Sequence, residues 1–167
     1  DVPERIGQGG KTFKMYKFRS MIENAHQILR TDPEFKKLYE EYKKGSYKLQ
    51  NDPRVTPVGR FIRKHSLDEL PQIINVFRGH MSIVGPRPER QFFIDQIIQK
   101  APHYKHLHKV RPGITSWGQV KYGYAETVDQ MVQRLKYDVI YIENMSLIVD
   151  LKIMIYTALI VIQGRGK

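Results

Sequence analysis

The sequence predicts a compact α+β domain that is mostly helical, with a short N-terminal β-hairpin and amphipathic helices suited to an interface. The hairpin is expected from Arg5 to Met21, where a glycine-rich turn precedes roughly alternating β-prone residues. Farther on, apolar residues recur at helical spacing. The apolar segment from Leu147 to Ile162 would span about 24 Å as a helix, short of the roughly 30 Å hydrocarbon core. We therefore expect a buried or interfacial helix there and no membrane span.

Length and charge limit the classes of protein to which the chain can belong. Its 167 residues suit one domain, expected over residues 1–167. Lysine and arginine number 28 against 17 aspartates and glutamates, giving a formal net charge of +11. This excess predicts an anionic partner, which could be nucleic acid, an acidic membrane surface or a phosphorylated small molecule.

Two further features of the composition concern chemistry and processing. There is no cysteine, which excludes disulfides, thiolate metal sites and a cysteine nucleophile. The chain starts without methionine and its first residues contain no apolar run. We therefore expect a fragment that carries no signal peptide.

Two helices are predicted in the first third of the chain. One is expected from Met21 to Arg30, and the second after the start signal of Asp32, Pro33 and Glu34, ending at Gly45. Apolar and aromatic side chains share one face of the second helix, which predicts a core face or a face toward lipid headgroups. That face consists of Phe35, Leu38, Tyr39 and Tyr42.

A helix is also predicted from Gln91 to Lys100, where apolar residues recur at a spacing of four. His103, His106 and His108 follow it closely, so metal binding has to be considered. No acidic residue lies nearby and the spacing matches no zinc site, which favours a solvated basic loop.

The last third of the chain begins with a predicted turn from Arg111 to Thr115. Farther on, Thr127 and Gln130 have the spacing of a capping box, which predicts the start of another helix. Its buried face is expected to contain Val128, Met131, Val132 and Leu135.

The centre of the chain combines an acidic pair with many arginines. The run from Ser66 to Glu69 also has the form of a capping box, which predicts that Asp68 and Glu69 lie at a helix N-terminus. Acidic residues are favoured there by the helix dipole alone, so the pair by itself is weak evidence of function. The surrounding arginines strengthen it: Arg54, Arg60, Arg63, Arg78, Arg87 and Arg90.

Carboxylates among guanidinium groups predict a phosphate site with two possible chemistries. In one, the carboxylates hold Mg²⁺ together with substrate phosphate oxygens while arginines bind the remaining oxygens. In the other, one carboxylate attacks phosphorus and forms an aspartyl phosphate. The residues alone leave both open.

Two further stretches could bring cations to this site. Prolines on both sides of Arg87 restrict the backbone and would aim its guanidinium, although an ordinary proline-rich turn is the alternative. Lys14, Lys17 and Arg19 alternate with aromatic residues near the hairpin. They either approach an anion or protect an edge strand from pairing.

With these motifs in order, the chain resembles the bacterial monotopic phosphoglycosyl transferases, the polyprenyl-phosphate sugar-1-phosphate transferases. The resemblance covers nearly the whole chain. It rests on KMYKFRSM at 14–21, NDPRVTPVGRFIRKHSLDELPQIINVFRGHMSIVGPRP at 51–88, VRPGIT at 110–115 with Gln119 and Val120, and YDVIYIENMSLIVDLKI at 137–153.

The resemblance implies an enzyme on the cytoplasmic face of the bacterial inner membrane, with a re-entrant membrane helix upstream of this region. Such an enzyme moves a sugar-1-phosphate from a nucleotide diphosphate sugar, by the family's habit a UDP-sugar, to polyprenyl phosphate such as undecaprenyl phosphate. It releases a nucleoside monophosphate and requires Mg²⁺. The product is the first membrane intermediate of exopolysaccharide, capsule or glycoconjugate synthesis.

By the same resemblance, Asp68 matches the nucleophile that forms the covalent phosphosugar intermediate, and Glu69 matches its acidic partner at the Mg²⁺ site. Arg63 and Arg87 match arginines that bind substrate phosphates. The full set of candidates is Asp68 and Glu69 for catalysis and metal binding, Arg54, Arg63, Arg87 and Arg90 for phosphate, and Lys17, Arg19, Arg111, Gln119 and Asp138 as additional residues.

The chain departs from the family pattern at two positions. Leu107 stands where many members have arginine, and Ser116 stands where many have glycine. His106, His108 or Lys109 are the candidates to replace the missing cation.

The sequence also leaves an alternative to this function and a mode of self-association. A basic module that binds nucleic acid or an anionic membrane without catalysis would use the net charge and the interleaved lysines and aromatics. It would leave the acidic pair without a purpose, so no nucleic-acid partner is expected. The apolar helix near the C-terminus could also drive self-association, which makes a homo-oligomer possible.

Overall fold

A computed structural model of the chain describes residues 4–44, 49 and 52–165. Helices dominate this part of the chain, and short strands form two separate pairs, which confirms the predicted α+β class. The helices are α1 (Ala25–Thr31), α2 (Lys36–Lys44), α3 (Pro57–Lys64), α4 (Ile73–Phe77), α5 (Gln91–Lys100), α6 (Trp117–Lys121), α7 (Val128–Glu143) and α8 (Leu147–Ile162). The strands are β1 (Arg5–Ile6), β2 (Thr12–Phe13), β3 (Ser82–Val84) and β4 (Gly113–Thr115), and 3₁₀ segments cover Gln8–Gly10, Pro33–Phe35, Leu67–Gln72 and Pro102–Lys109.

The predicted N-terminal hairpin is present. β1 and β2 pair antiparallel, with Arg5 opposite Phe13. The helix expected to start at Met21 starts at Ala25 instead. Met21 forms a β-bridge with Val55, and Asn24 has the left-handed backbone conformation (φ 52°), so neither residue can begin a helix.

The start signal of the second helix is confirmed. The Asp32 carboxylate accepts a hydrogen bond from the Glu34 backbone N–H at 2.9 Å, and the 3₁₀ segment there leads directly into α2. The predicted apolar face is half-buried; it contains Phe35, Leu38, Tyr39 and Tyr42. Gly45, the predicted end, lies outside the described residues.

α5 has the predicted bounds, and Ile97 on its buried face lies in the largest apolar core with Leu135 of α7. The solvated loop predicted after it is wrong, because residues 102–109 form a 3₁₀ segment. Tyr104 and Leu107 are three residues apart, so a 3₁₀ geometry places both on the core side. The histidines at 103 and 106 remain exposed.

α7 begins at the predicted capping box. The Thr127 hydroxyl accepts from the Gln130 N–H at 3.2 Å, and the Gln130 side chain accepts from the Thr127 N–H at 3.1 Å. These reciprocal bonds satisfy N–H groups that have no partner within the helix. The helix then packs its apolar face against α5 and the 3₁₀ segment Pro102–Lys109.

α8 also has the predicted bounds, and most of its apolar side chains face outward. Ile153 is fully buried, whereas Leu147 and Ile148 are 83% and 80% exposed. Its position supports the interfacial interpretation over the buried one. Within residues 4–44, 49 and 52–165, no helix has both the length and the hydropathy needed to cross a bilayer.

The turn predicted from Arg111 to Thr115 is wrong in its second half, where Gly113–Thr115 forms β4. β4 pairs in parallel with β3, with Ser82 opposite Gly113 and Val84 opposite Thr115. The pairing requires a close approach at Gly113, whose N–H donates to the Pro86 carbonyl at 2.9 Å. Sequence periodicity could not reveal this contact, because the partner strand lies far away along the chain.

Replacement of Gly113 by alanine should destabilise the fold strongly. The added Cβ would lie 2.1 Å from the Gly85 backbone N and 2.6 Å from its carbonyl oxygen. Backbone atoms cannot move aside cheaply, so we expect a loss of about 3 kcal/mol in the free energy of unfolding, measured by urea denaturation. Gly9→Ala is the control: nothing lies within 4 Å of its added Cβ, so its positive φ alone should cost about 1 kcal/mol. Equal losses would contradict the steric argument.

Candidate active site

The acidic pair lies in the first turn of the 3₁₀ segment Leu67–Gln72, as predicted, but the predicted capping box is absent. Ser66 has φ 53°, and its side chain makes no capping hydrogen bond. The Glu69 carboxylate does not fold back toward Ser66 because it is held by two cations. The segment therefore presents both carboxylates to the interior of the site.

Glu69 is the centre of the charge network. Its Oε1 atom lies 2.6 Å from Lys17 Nζ and 2.8 Å from Arg87 Nη2, and Arg87 Nη1 lies 3.4 Å from Oε2. Burial opposes ionisation of this side chain, but Arg87 and Lys17 outweigh it and hold the Glu69 pKa well below its usual range. Glu69 is therefore a permanently ionised carboxylate.

Asp68 is held much more loosely than its neighbour. Its side chain is 12% exposed, and Oδ2 lies 3.9 Å from Lys17 Nζ. Burial raises the Asp68 pKa and the charge of Glu69 adds to the increase, while Lys17 and more weakly Arg63 and Arg87 oppose it. Two adjacent carboxylates thus have pKa values shifted in opposite directions, an arrangement typical of acid, base or nucleophile pairs.

Lys17 lies in the segment that follows β2. Asn75 of α4 holds this stretch, since its side chain donates to the Lys14 carbonyl at 2.8 Å and accepts from the Tyr16 N–H at 3.0 Å. The Phe18 N–H also donates to the Asp68 carbonyl at 2.9 Å. Of the two alternatives left open for Lys17, approach to an anion or protection of an edge strand, the structure favours the first.

Arg87 lies in the loop between β3 and α5. The Gly85 N–H donates to the Thr115 carbonyl at 3.0 Å, and the Gly113 N–H donates to Pro86, so β4 fixes the loop from one side. Glu69 and then Glu89 raise the Arg87 pKa against the effect of burial. The guanidinium stays charged and faces the acidic pair.

Two more of the predicted phosphate-binding arginines, Arg63 and Arg54, lie in different surroundings. Arg63 donates from Nε to the Ser20 hydroxyl at 2.8 Å and lies close enough to Asp68 to lower its pKa. Arg54 is 1% exposed; its guanidinium binds Asp52 at 2.6 Å and the Ala25 carbonyl at 2.9 Å. The Arg54 guanidinium is thus a buried structural group, held by Asp52 and by the backbone of α1.

Arg90 lies at the N-terminal end of α5, half-buried, close to Arg5 of β1. Burial, with the positive charge of Arg90, lowers the Arg5 pKa to about 10, and Arg5 Nη1 has no hydrogen-bond partner. The negative charges of Glu89 and Glu69 partly offset those of Arg5 and Arg90 here.

Of four additional candidates, Arg19 and Arg111 lie on the surface, Gln119 is half-buried and Asp138 is buried. Arg19 is exposed and pairs with Glu23 at 3.6 Å, and Arg111 is exposed. Gln119 has a buried Oε1 without a partner. Asp138 accepts from the Gly118 N–H at 2.8 Å, and burial raises its pKa to about 6 against the opposing charge of Arg134.

The two departures from the family pattern have structural explanations. Leu107 is 6% exposed in the core between α5 and α7, where an apolar residue packs well. Ser116 is fully buried and caps α6 by accepting from the Gln119 N–H at 2.9 Å. His106 and Lys109 are exposed, while His108 is half-buried and its Nε2 has no partner.

Sequence reasoning missed three residues that support the site: Asn75, Glu89 and Arg134. Glu89, in the same loop as Arg87, accepts from Arg134 at 2.6 Å. A signal was present for Arg134, which lies with Met131, Leu135 and Asp138 on the buried stripe of α7. Charged residues on an apolar stripe require partners, which predicts an internal ion pair.

A divalent cation is compatible with this donor set, although both oxygens of Glu69 are engaged by cations. Within residues 4–44, 49 and 52–165, no cluster of three or more histidine or acidic residues could hold a metal ion alone. Mg²⁺ is typically bound by one or two carboxylates, with the remaining ligands from substrate phosphates and water. Asp68 and Glu69 fit that pattern.

The fold and the site together define a basic α+β domain with a partly buried carboxylate pair, surrounded by cations suited to phosphate. Comparison with known proteins identifies its family. Residues 2–164 match the family model described as bacterial sugar transferase. The chain belongs to the bacterial sugar transferase family.

Several curated relatives align with nearly the whole chain. It is 40% identical, over 99% of its length and 36% of the relative's, to the UDP-N-acetylgalactosamine-undecaprenyl-phosphate N-acetylgalactosaminephosphotransferase of Aeromonas hydrophila. It is 43% identical, over 92% and 30%, to the UDP-glucose:undecaprenyl-phosphate glucose-1-phosphate transferase of Escherichia coli K12. It is 42% identical, over 98% and 70%, to the exopolysaccharide production protein ExoY of Sinorhizobium fredii. The chain spans about a third of the length of the first two.

Proposed function

We propose that the chain is the catalytic domain of an enzyme that transfers a sugar-1-phosphate from a UDP-sugar to undecaprenyl phosphate through a covalent intermediate on Asp68. The names of two relatives support the substrate classes. The observation that carries the proposal is the unequal ion pairing of the two carboxylates. Lys17 and Arg87 bind Glu69, while the ion pair of Asp68 is with Lys17 alone, at 3.9 Å. A carboxylate with little ion pairing keeps its lone pairs available for attack.

In the proposed reaction, an ionised Asp68 oxygen attacks the phosphorus that bears the sugar. The bond from this phosphorus to the bridging oxygen breaks, and the nucleoside monophosphate leaves with the electron pair. A phosphate oxygen of undecaprenyl phosphate then attacks the same phosphorus, and the Asp68 oxygen leaves as a carboxylate. Lys17, Arg63 and Arg87 bind and orient the phosphate oxygens throughout.

Mg²⁺ belongs to this proposal, with Asp68 and Glu69 as the residues that would hold it. When bound, the ion supplies positive charge that neutralises the donor diphosphate and the leaving group. Glu69 is suited to hold it because its low pKa keeps it ionised at any physiological pH.

We also propose that the enzyme lies on the cytoplasmic face of the bacterial inner membrane. The 3₁₀ segment of the acidic pair and α4 carry a row of exposed apolar side chains, and Phe77 is 86% exposed. His65, at the end of α3, contacts the Val161 carbonyl of α8 at 2.9 Å, which joins this row to the exposed face of α8. We call the exposed apolar side chains of α3, this 3₁₀ segment, α4 and α8 the apolar rim. They are Val58, Phe61, Leu70, Ile73, Ile74, Phe77, Leu147, Ile148, Leu151, Ile155, Leu159 and Ile162.

Exposed basic residues border the apolar rim, among them Arg60, Lys64 and Arg78. A rim of this kind suits an acidic bilayer surface, since apolar groups enter the acyl boundary while each basic group near the surface adds about 1 kcal/mol. Asp68 and Leu70 lie in the same short segment, so a membrane on the rim brings a lipid phosphate close to the proposed nucleophile.

The covalent step predicts that Asp68 carries the sugar phosphate. When the protein is mixed with a UDP-sugar labelled on the sugar, label should remain on the denatured wild type, while Asp68→Asn should lose it together with turnover, by a factor on the order of 10³ or more. Asp129→Asn is the control, because its carboxylate is exposed on α7. Label retained on Asp68→Asn would refute the assignment.

Lys17→Met should shift the pH dependence of labelling. Lys17 lowers the Asp68 pKa, so its loss raises that pKa further. Attack requires ionised Asp68, so the rate falls as the pH drops through this pKa, and the fall should begin at a higher pH in the variant. Rates of labelling across a pH series measure the shift. Lys14→Met, an exposed change in the same stretch, should leave the profile in place. Coincident profiles for Lys17→Met and the wild type would contradict the role of Lys17.

Phe77→Ser should weaken binding to vesicles. Losing one inserted aromatic side chain removes about 1.5–3 kcal/mol, roughly 10- to 100-fold in affinity for vesicles containing anionic phospholipid, measured by cosedimentation. Phe92→Ser, a half-exposed phenylalanine on α5 outside the apolar rim, is the control. If Phe77→Ser instead leaves vesicle binding intact and converts a dimer into a monomer, the apolar rim binds a second copy of the chain.

A further inference from the structure

Two carboxylates lie within electrostatic reach of Arg87. Glu69 binds its guanidinium at 2.8 Å across the site. Glu89 follows two residues later, with Pro88 between them, and its carboxylate binds Arg134 of α7 at 2.6 Å. The Glu89 and Arg134 side chains are 12% and 8% exposed, so water cannot screen these charges effectively.

The charges of Arg87 and Glu89 act on each other although they are not paired. Burial opposes the charged form of Glu89, but Arg134 and, next in strength, Arg87 keep its pKa below the usual range. In the same way, the charge of Glu89 adds to that of Glu69 in raising the Arg87 pKa. Glu69 is paired with the Arg87 guanidinium, and Glu89, two residues along the same loop, is a second carboxylate near enough to attract it.

Packing places Arg134 where it can bind Glu89. A Cβ on Gly118 would lie 2.7 Å from Arg134 Cγ, so the missing side chain makes room for the stem of this arginine. Asp138, one turn along α7, accepts from the Gly118 N–H at 2.8 Å. The Ile6 N–H also fixes the Glu89 backbone by donating to its carbonyl at 3.1 Å, which leaves the Glu89 side chain as the part that can reorient.

We propose that Arg134 is a positioning residue for Arg87: by binding Glu89, it prevents the second carboxylate from drawing the Arg87 guanidinium away from the acidic pair. This inference rests on the proposed function, in which Arg87 binds the donor diphosphate. In this proposal Arg134 binds Glu89 and acts on the phosphate site only through Arg87.

Loss of Arg134 leaves Glu89 with two cations, Arg87 and Arg5. Arg87 lies two residues away on the same loop, so we expect Glu89 to turn toward it when Arg134 is absent. The diphosphate then has to compete with Glu89 as well as Glu69 for the guanidinium. Its affinity falls, while the attack by Asp68 on donor that is already bound changes less.

Three variants test this inference: Arg134→Met, Glu89→Gln and the double variant. Both single changes break the same ion pair, but only Arg134→Met leaves the competing carboxylate in place. We expect it to raise the dissociation constant of UDP and the KM for the UDP-sugar about tenfold, the worth of one charge-assisted hydrogen bond, with a smaller change in kcat. Glu89→Gln should stay within about twofold of the wild type, and the double variant should return to that range.

Calorimetric titration with UDP measures affinity without any turnover, and thermal unfolding confirms that each variant is folded. Arg134→Gln replaces Arg134→Met if the latter does not fold. Equal losses of UDP affinity in the two single variants, wild-type affinity in the Arg134 variant or no recovery in the double variant would each overturn the proposal. A wild type that binds UDP but never becomes labelled would refute the proposed function while the UDP comparison still tests Arg134.

Discussion

The ion pairs of Glu69 are the interaction on which the site depends. Lys17 comes from the stretch after β2, and Arg87 comes from the loop after β3, yet both meet the same carboxylate oxygen at 2.6 and 2.8 Å. A buried carboxylate with one cation removed would be left as an uncompensated charge, which costs several kcal/mol. The hairpin, the 3₁₀ segment and the strand pair must therefore assemble together. Asn75 and Gly113 support the same requirement, since one holds the Lys17 stretch and the other admits the Arg87 loop.

The same interaction makes the two adjacent carboxylates chemically different. Glu69 receives most of the positive charge and stays ionised, whereas Asp68 is buried beside a negative neighbour and its pKa rises. Two carboxylates with equal ion pairing would titrate as a coupled unit. Here Glu69 stays ionised, whereas Asp68 takes up a proton more readily. The excess of basic residues is only partly a surface feature, because some arginines lie in the interior and neutralise buried carboxylates. Arg54 and Arg134 neutralise Asp52 and Glu89 inside the fold.

The parts of the structure that depend on local sequence were predictable, and the parts that depend on distant contacts were not. The bounds of α5 follow from the periodicity of its apolar residues, and those of α8 from its apolar run and the cap at Ser146. The position of β4 could not be predicted from local sequence, because this segment becomes a strand only by pairing with β3. Composition likewise indicated that arginines near Asp68 would bind anions. It could not tell that the anion for Arg54 is Asp52, two residues away, whereas Arg87 reaches across to the acidic pair.

Charge balance links the donor and the metal ion in the proposed reaction. With Asp68 ionised, the acidic pair carries two negative charges, and Lys17 and Arg87 carry two positive ones at contact distances. A diphosphate would bring two further negative charges into a partly buried space, where uncompensated charge is costly. In the proposed reaction, a divalent cation held by Asp68 and Glu69 would restore neutrality, and the Glu69 oxygens would become available to it if Arg87 bound the phosphate instead. On this proposal the Glu69–Arg87 pair would be replaced by two new pairs, Glu69 with the cation and Arg87 with the phosphate, so the two ligands would favour each other's binding.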